Sequence, residues 1–150
     1  MDKIRVTKHF DFEAAHALPG YDGKCKNIHG HSYQLFVTVI GKPIHDKEHP
    51  KNGMVLDFGD LKKIVNKEIV DVFDHSIVLN KDSEHLELAK KIADYSNRIV
   101  LVNYQPTSEL MLIDFADKIK KELPKKVTLH SLKLYETNNS FAEWFASDQD

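Results

Sequence analysis

Residues 29–40 read HGHSYQLFVTVI, and from His31 to Val39 every second side chain is apolar or aromatic apart from the leading histidine. Side chains alternate between the two faces of a β-strand, so this pattern predicts a strand from His31 to Ile40 with one half-buried face. His31, Tyr33, Leu35, Val37 and Val39 share that face. The first residue of the apolar face is therefore a histidine.

The preceding segment, Ile4 to His16, shows the same alternation. Phe10, Phe12, Ala14 and His16 fall on one face of this predicted strand, which ends in a second histidine. A turn-rich loop at 19–23, PGYDG, separates the two strands. If the strands pair antiparallel across residues 17–30, their histidine ends meet.

The middle of the chain has helical patterns. Asp60 is a plausible cap for a first helix, and Ser83 for a second that carries Leu88, Ile92 and Tyr95 on one stripe. The short apolar run Ile99–Val102 follows. A further helix opens at 106–109, PTSE, with Thr107 or Ser108 as its cap, and it ends before Pro124. The apolar spacing of the first and last helices rests on Leu61, Ile64, Val65, Val72 and Phe73, and on Leu112, Phe115, Ala116, Ile119 and Leu123.

Two more strands are predicted at the end of the chain, Val127 to Glu136 and Ser140 to Ala146, joined by an Asn138-Asn139 turn. The order strand, strand, helices, strand, strand indicates an α+β fold in which helices cover one face of an antiparallel sheet. Such a sheet has two open edges. Because proteins pair or cover exposed edges, we expect contact with a neighbouring subunit.

Composition sets the broad class. With 150 residues, 41% of them hydrophobic and 29% charged, the chain fits one globular domain over 1–150. The formal charge of -2 gives no broad electrostatic footprint for nucleic acid or an anionic membrane. Charged residues interrupt the apolar start, which argues against a signal peptide or membrane span. A single cysteine, Cys25, excludes an intramolecular disulfide, and we expect a cytoplasmic protein.

Three of the nine histidines are placed to form a site. His29 and His31 flank Gly30 at a strand entry and so share one face, and His16 reaches the same place if the first two strands pair. Three neutral imidazoles would hold zinc with its full charge and an open position, as in catalytic sites. A His-x-His on a strand is also common without a metal. The solvated or core interpretation is favoured for His9, His45, His49, His85 and His130.

Several motifs occur together in one order and spacing. They are Phe12-Glu13-Ala14-Ala15-His16, Cys25-Lys26-Asn27-Ile28-His29-Gly30-His31-Ser32-Tyr33, Leu56-Asp57-Phe58, Asp74-His75, Pro106-Thr107-Ser108-Glu109 and Tyr135-Glu136-Thr137. Over nearly the whole chain this resembles the 6-pyruvoyl tetrahydropterin synthase family, including its bacterial 6-carboxy-5,6,7,8-tetrahydropterin synthase branch. The resemblance implies a tunnelling fold: a four-stranded antiparallel sheet with two helices between strands 2 and 3. Trimers would close into an oligomeric barrel and stack as a homohexamer.

The resemblance also implies roles for individual residues. His16, His29 and His31 match the zinc ligands, with one Zn²⁺ per subunit. Cys25 matches the proton acceptor, and His75 with Asp74 the charge-relay pair. Glu136 matches the pterin anchor, which is also tied to the relay, and Thr107, Ser108 and Glu109 match a helix start that seats the pterin.

Three residues separate Cys25 from His29, as in the bacterial carboxy-pterin branch. The resemblance then implies a zinc-dependent lyase that converts 7,8-dihydroneopterin triphosphate to 6-carboxytetrahydropterin, releases acetaldehyde and triphosphate, and feeds queuosine synthesis. Two features depart from the family pattern: Ala17 stands where many relatives carry Arg before Leu18, and residues 81–105 form an insertion with a helical pattern of its own.

Alternatives remain open at this point. A pyruvoyl synthase would eliminate triphosphate but keep every carbon. A non-catalytic zinc- or pterin-binding oligomer would have no use for Cys25, Asp74, His75 and Glu136 together, and a zinc hydrolase would leave Cys25 and Glu136 without a role. Cys25 is either a thiolate base beside the metal or an inert thiol. Asp71 rivals Asp74 as the partner of His75, because neighbouring strand residues face opposite ways. Lys24 and Lys26 are either phosphate contacts or solvated side chains.

Overall fold

A computed structural model describes residues 1–95 and 98–149. The two predicted N-terminal strands are confirmed as β1 (Ile4–His16) and β2 (His29–Gly41), which form a long antiparallel pair. β2 begins two residues earlier than the alternation alone indicates. The shared apolar face is buried, with Phe12 and Tyr33 each 1% exposed and Leu35 fully buried.

The C-terminal strands are also confirmed, as β5 (Val127–Thr137) and β6 (Ser140–Phe145). β5 pairs antiparallel with β2, and β6 pairs with β5. The β5–β6 register shifts between Tyr135 and Thr137, so Glu136 has no partner residue on β6. Such bulges re-aim a side chain, and this one lies at the end of the buried face.

The sheet has six strands, in the order β4-β3-β1-β2-β5-β6, so the expectation of four antiparallel strands is wrong. The additional strands are β3 (Ser76–Asn80) and β4 (Ile99–Val102). β3 pairs parallel with the end of β1, and β4 parallel with β3. The sheet is therefore mixed. Short apolar runs are compatible with a strand or a helix, which is why periodicity did not reveal β3.

The first helical region consists of α1 (Phe58–Val65), a π-helical turn (Asn66–Val70) and α2 (Asp71–Phe73). Its cap is Asp57, whose Oδ1 accepts from the Gly59 N–H at 2.7 Å, and the predicted cap Asp60 is wrong. Asp57 lies in extended backbone just before the helix, where a side chain can reach the free amides, whereas Asp60 is already helical. Asp60 instead pairs with Lys51.

The segment 81–105 contains α3 (His85–Ile92) and then β4. Ser83 Oγ accepts from the His85 N–H at 3.1 Å, so Ser83 does satisfy a first-turn amide, although the capping position itself is Glu84. Tyr95 lies beyond the end of the helix and is 91% exposed, so its predicted place on the apolar stripe is wrong. A small second core of Ala17, Leu79 and Ala89 lies between β3 and α3.

The last helix is α4 (Ser108–Glu122), capped as predicted by Thr107, whose Oγ1 accepts from the Leu110 N–H at 3.3 Å. Its apolar side packs on the sheet together with α1 and forms the main core with the alternating residues of β1, β2 and β5. No helix of the described residues is long and apolar enough to span a membrane.

Candidate metal centre and active site

The register of β1 and β2 brings the three predicted histidines together. His16 and His29 are Cα partners across the two strands, and His31 faces Ala14, two residues before His16. The Nε2 atoms of His16 and His29 lie 3.1 Å apart. Two ligands of a tetrahedral zinc, each bonded at about 2.0 Å, would be roughly 3.3 Å apart, so this spacing suits a shared metal.

Backbone carbonyls fix two of the rings. His16 Nδ1 lies 2.6 Å from the Pro106 oxygen and His29 Nδ1 2.8 Å from the Asn27 oxygen. A carbonyl oxygen can only accept, so each Nδ1 must carry the proton, and each Nε2 keeps a lone pair. This is how metal-binding histidines are commonly held by their surroundings.

Glu136 completes a group of four ligating side chains with His16, His29 and His31, whose ligand atoms all lie within 4.8 Å of one another. Its Oε1 is 2.9 Å from His31 Nε2 and 3.7 Å from His16 Nε2. Its Oε2 accepts from Ser108 Oγ at 2.8 Å. Glu136 is thus held between the helix start and the imidazoles.

His31 Nε2 is buried, yet among the described residues it makes no hydrogen bond, because the close Glu136 oxygen lies outside hydrogen-bonding geometry. A buried nitrogen without a well-formed hydrogen bond is costly unless something else binds it. Its position among two other available Nε2 atoms and a carboxylate fits a divalent cation.

Burial favours the neutral form of His16 and His31. Desolvation lowers the pKa of His16, although the Pro106 carbonyl acts in the opposite direction. Desolvation also lowers the pKa of His31, against the attraction of Glu136. Neutral imidazoles are the form that binds metal, so the site is prepared for a cation at neutral pH.

The structure makes Asp74, and not Asp71, the partner of His75. Asp74 Oδ1 lies 3.0 Å from His75 Nδ1 and accepts from the Glu13 N–H at 2.8 Å. That backbone N–H is the main reason that the pKa of Asp74 is lowered. The alternation argument for Asp71 does not apply, because the pair lies in a turn where His75 has a left-handed φ of 58°.

The His75 side chain is 75% exposed, and it lines an open cavity of about 330 Å³ that His31 also lines. Glu13 and Ser32 form another wall, with Ser32 Oγ donating to Glu13 Oε2 at 2.7 Å. A larger cavity, of about 820 Å³, lies between Gly41 and Val127. It is at the opposite end of the strands from the histidines.

The other predicted residues differ in burial. Cys25 is half-buried in a short 3₁₀ turn (Lys24–Lys26) of the β1–β2 loop and is not part of the four-residue ligand group. Its carbonyl accepts from the Leu18 N–H at 3.0 Å. Lys26 is exposed. At the start of α4, Ser108 is buried and touches Glu136, Thr107 caps the helix, and Glu109 is exposed in the first turn.

Sequence reasoning missed the residues that orient the cluster. The carbonyls of Pro106 and Asn27 carry no side-chain signal, so no pattern could reveal them. Tyr33 packs edge-on against the rings of His16 and His31, with centroids 6.3 and 5.5 Å away. Because Tyr33 follows His31 by two residues on the same strand, the two side chains share a face, and this contact could have been predicted from the sequence.

Comparison with known proteins agrees with the geometry. The family model for 6-pyruvoyl tetrahydropterin synthase matches residues 5–147. A protein of Haemophilus influenzae named 6-carboxy-5,6,7,8-tetrahydropterin synthase is 34% identical over 142 residues, covering 94% of this chain and 98% of that protein. A Rickettsia typhi protein of the same name is 36% identical, covering 93% of this chain and 99% of the relative.

Among solved structures, 6-pyruvoyl tetrahydropterin synthase of Caenorhabditis elegans superposes with a TM-score of 0.69 at 26% identity, covering 97% of both chains. An uncharacterised protein of Wolinella succinogenes superposes with a TM-score of 0.80 at 20% identity, covering 97% of this chain and 99% of that one, and shares the fold. The match of the family model to almost the whole length, with relatives above 30% identity, shows that this chain belongs to the 6-pyruvoyl tetrahydropterin synthase family.

Proposed function

We propose that this protein is a zinc-dependent 6-carboxy-5,6,7,8-tetrahydropterin synthase acting on 7,8-dihydroneopterin triphosphate. The observation that carries the proposal is the convergence of the His16, His29 and His31 imidazoles, with the Nε2 lone pairs of His16 and His29 left free by backbone hydrogen bonds at Nδ1 and His31 Nε2 facing Glu136 without a well-formed hydrogen bond among the described residues. The names of the relatives that span almost the whole chain support the carboxy-pterin product.

His16, His29 and His31 would hold one Zn²⁺ per subunit, and Glu136 lies within reach of the same place. When bound, zinc supplies a Lewis acid that stabilises negative charge developing on a substrate oxygen. The chain contributes the orientation: the Pro106 and Asn27 carbonyls fix the tautomers of His16 and His29 before any metal arrives.

Proton transfer is assigned to Cys25 and to the Asp74–His75 pair. Cys25, in the loop before His29, would act as the base. The Asp74 carboxylate holds the proton of His75 on Nδ1, which leaves Nε2 free to accept or deliver a proton in the cavity that His31 also lines. The two groups would serve different protons of the substrate.

The pterin ring is assigned to Glu136. Its carboxylate can accept from the amino group and the adjacent ring N–H of a pterin, which present two parallel donors. The Ser108 hydroxyl already holds one carboxylate oxygen, and Thr107 fixes the start of α4 that carries Ser108. Glu109, one residue on and exposed, would complete the seat.

The experiment is to incubate purified zinc-loaded protein with 7,8-dihydroneopterin triphosphate and identify the products by mass spectrometry, with acetaldehyde measured by an alcohol dehydrogenase assay. We expect acetaldehyde and triphosphate in equal amounts. Triphosphate without acetaldehyde, and a pterin that keeps all its side-chain carbons, would favour the pyruvoyl synthase. Release of phosphate by simple hydrolysis would favour a zinc hydrolase, and pterin binding without turnover a non-catalytic protein.

Assembly and cellular role follow from the same proposal. β4 and β6 are the outer strands of the described sheet, and pairing them between subunits would build the barrel of the family. We propose a cytoplasmic homohexamer, formed as a dimer of trimers, in queuosine synthesis. Light scattering should give six times the 17.3 kDa chain mass, whereas a monomer would contradict this assembly.

A further inference from the structure

The His75 side chain projects from a turn and makes few contacts with the rest of the protein. His75 is 75% exposed, and its side chain has one polar contact, with Asp74, among the described residues. Its φ of 58° is in the left-handed region that a residue with a Cβ rarely adopts. The place of the imidazole is therefore determined by the backbone of the turn, and whatever fixes that backbone fixes His75.

Three elements converge on this turn. The Glu13 N–H of β1 binds the Asp74 carboxylate, and the Glu13 carbonyl accepts from the His75 N–H. The Ser76 hydroxyl donates to the Phe73 carbonyl. Two further carbonyls, of Asp71 at the start of the single-turn α2 and of Asp74 just after it, both bind the same side chain.

That side chain is Arg98. Its Nη2 donates to the Asp71 carbonyl at 3.0 Å and to the Asp74 carbonyl at 2.5 Å. The two carbonyls bracket the helix end and the start of the turn, so a single cation ties one to the other. A cation is favourable beside the carbonyls that end a helix, which otherwise lack partners.

The backbone of Arg98 is anchored at the same place. Its carbonyl accepts from the Ile77 N–H at 2.9 Å, and the parallel pairing of β3 with β4 begins one residue later with Ile77 opposite Ile99. The β3–β4 pairing therefore places the Arg98 backbone next to the turn. The Arg98 side chain reaches from the residue before β4 to the carbonyls of Asp71 and Asp74.

We propose that Arg98 is a positioning residue for His75, and that this is a role of the 81–105 segment, which carries β4 to the edge of the sheet. The role of His75 in the reaction rests on the proposed function, but the structural part does not: Arg98 holds the Asp71–Asp74 carbonyls, and they hold the left-handed His75 against the Asp74 carboxylate.

The test compares Arg98→Gln with Arg98→Lys, which keeps a cation able to donate to both carbonyls. Lys91→Gln is the matched control, because it removes one exposed cation from the same segment without touching the turn. Each zinc-loaded full-length variant is labelled with ¹⁵N-histidine, and the His75 ring signals are assigned with His75→Ala.

In the parent and in Lys91→Gln, we expect the His75 proton on Nδ1, facing Asp74. In Arg98→Gln, the signals should shift toward the tautomer mixture of a free histidine, and Arg98→Lys should restore them in part. Unchanged His75 signals in folded Arg98→Gln would overturn the proposal, whatever the activity.

Kinetics supply the second measurement. If the protein is a synthase, kcat of Arg98→Gln should fall by about 10- to 100-fold with little change in KM, since a displaced catalytic group slows chemistry more than binding. A rise in KM alone would overturn the assignment, because it would place Arg98 on the substrate. If the parent makes no pterin product but the His75 signals still shift in Arg98→Gln, the proposed function is refuted and the positioning role stands.

Discussion

Ser108 Oγ donates to Glu136 Oε2 at 2.8 Å across 28 residues of sequence, and through this bond the start of α4 sets the position of a carboxylate on β5. The other oxygen of the same carboxylate points to His31. Glu136 therefore connects the place assigned to the pterin with the place assigned to the metal. This connection makes it the most informative residue to change.

Glu136→Gln should weaken the binding of a non-reacting pterin by on the order of 2 kcal/mol, because one acceptor of the carboxylate becomes a donor facing the donors of the ring. Isothermal calorimetry measures this directly. Glu143→Gln on β6 is the control, since Glu143 is paired with Lys133 outside the cluster. Equal affinity of Glu136→Gln and the parent would assign the ring to another group.

His31→Ala should reduce bound zinc well below one ion per chain after dialysis, because only two of the three proposed histidine ligands remain. Metal analysis by plasma mass spectrometry gives the ratio. His130→Ala, a histidine of β5 outside the group of four, should keep full occupancy. A fully loaded His31→Ala protein would mean that the metal lies elsewhere.

Cys25→Ala should lower kcat by about 10²- to 10⁴-fold, the usual contribution of a general base, and leave zinc content and thermal midpoint unchanged. The expectation of intact zinc follows from the place of Cys25 outside the group of four ligands. Turnover near that of the parent would leave the thiol without a role in proton transfer.

The metal-free protein should lose stability as pH falls below about 6.5, the ordinary pKa of histidine. Burial lowers the pKa of His16 and of His31, so below that pH the unfolded chain binds more protons than the folded one and unfolding is favoured. The loss continues until the folded residues titrate too. Urea unfolding between pH 7.5 and pH 5 measures it.

The matched variant for this pH dependence is His31→Asn, which removes one of the two imidazoles whose pKa is lowered by desolvation. Its free energy of unfolding should fall less steeply over the same pH range, and the carboxylates that do not contact His31 cancel in the comparison because both proteins contain them. Parallel curves for the parent and His31→Asn would show that His31 is not resisting protonation.

The β1–β2 hairpin was predictable because its alternation is long and ends in histidines on both strands, so one assumption about pairing was enough to bring His16 next to His29. Glu136 was predicted to end an apolar face, but its distance from His31 was not, because it depends on the register of β5 on β2 and on the bulge at Tyr135–Thr137. The alternation of apolar residues predicts which face of a strand is buried, but it does not predict the register of that strand against its neighbour.

Where the sequence reasoning failed, the segments were short or were turns. β3 is only five residues long, and parallel strands are covered on both faces, so it shows no alternation. The choice between Asp71 and Asp74 assumed that Asp74 and His75 are neighbours on a strand, whereas they lie in a turn after α2 whose left-handed residue has no reliable signal when it is not glycine.

The β1–β2 hairpin also bears on the order in which the site matures during folding. All three histidines precede the helices in the chain and belong to a local pair of strands, which is marginally stable alone. The carbonyl that fixes His16 belongs to Pro106, and Glu136 comes later still. We expect the nascent chain to hold loosely arranged imidazoles, and tight, selective metal binding to appear only after synthesis has passed β5.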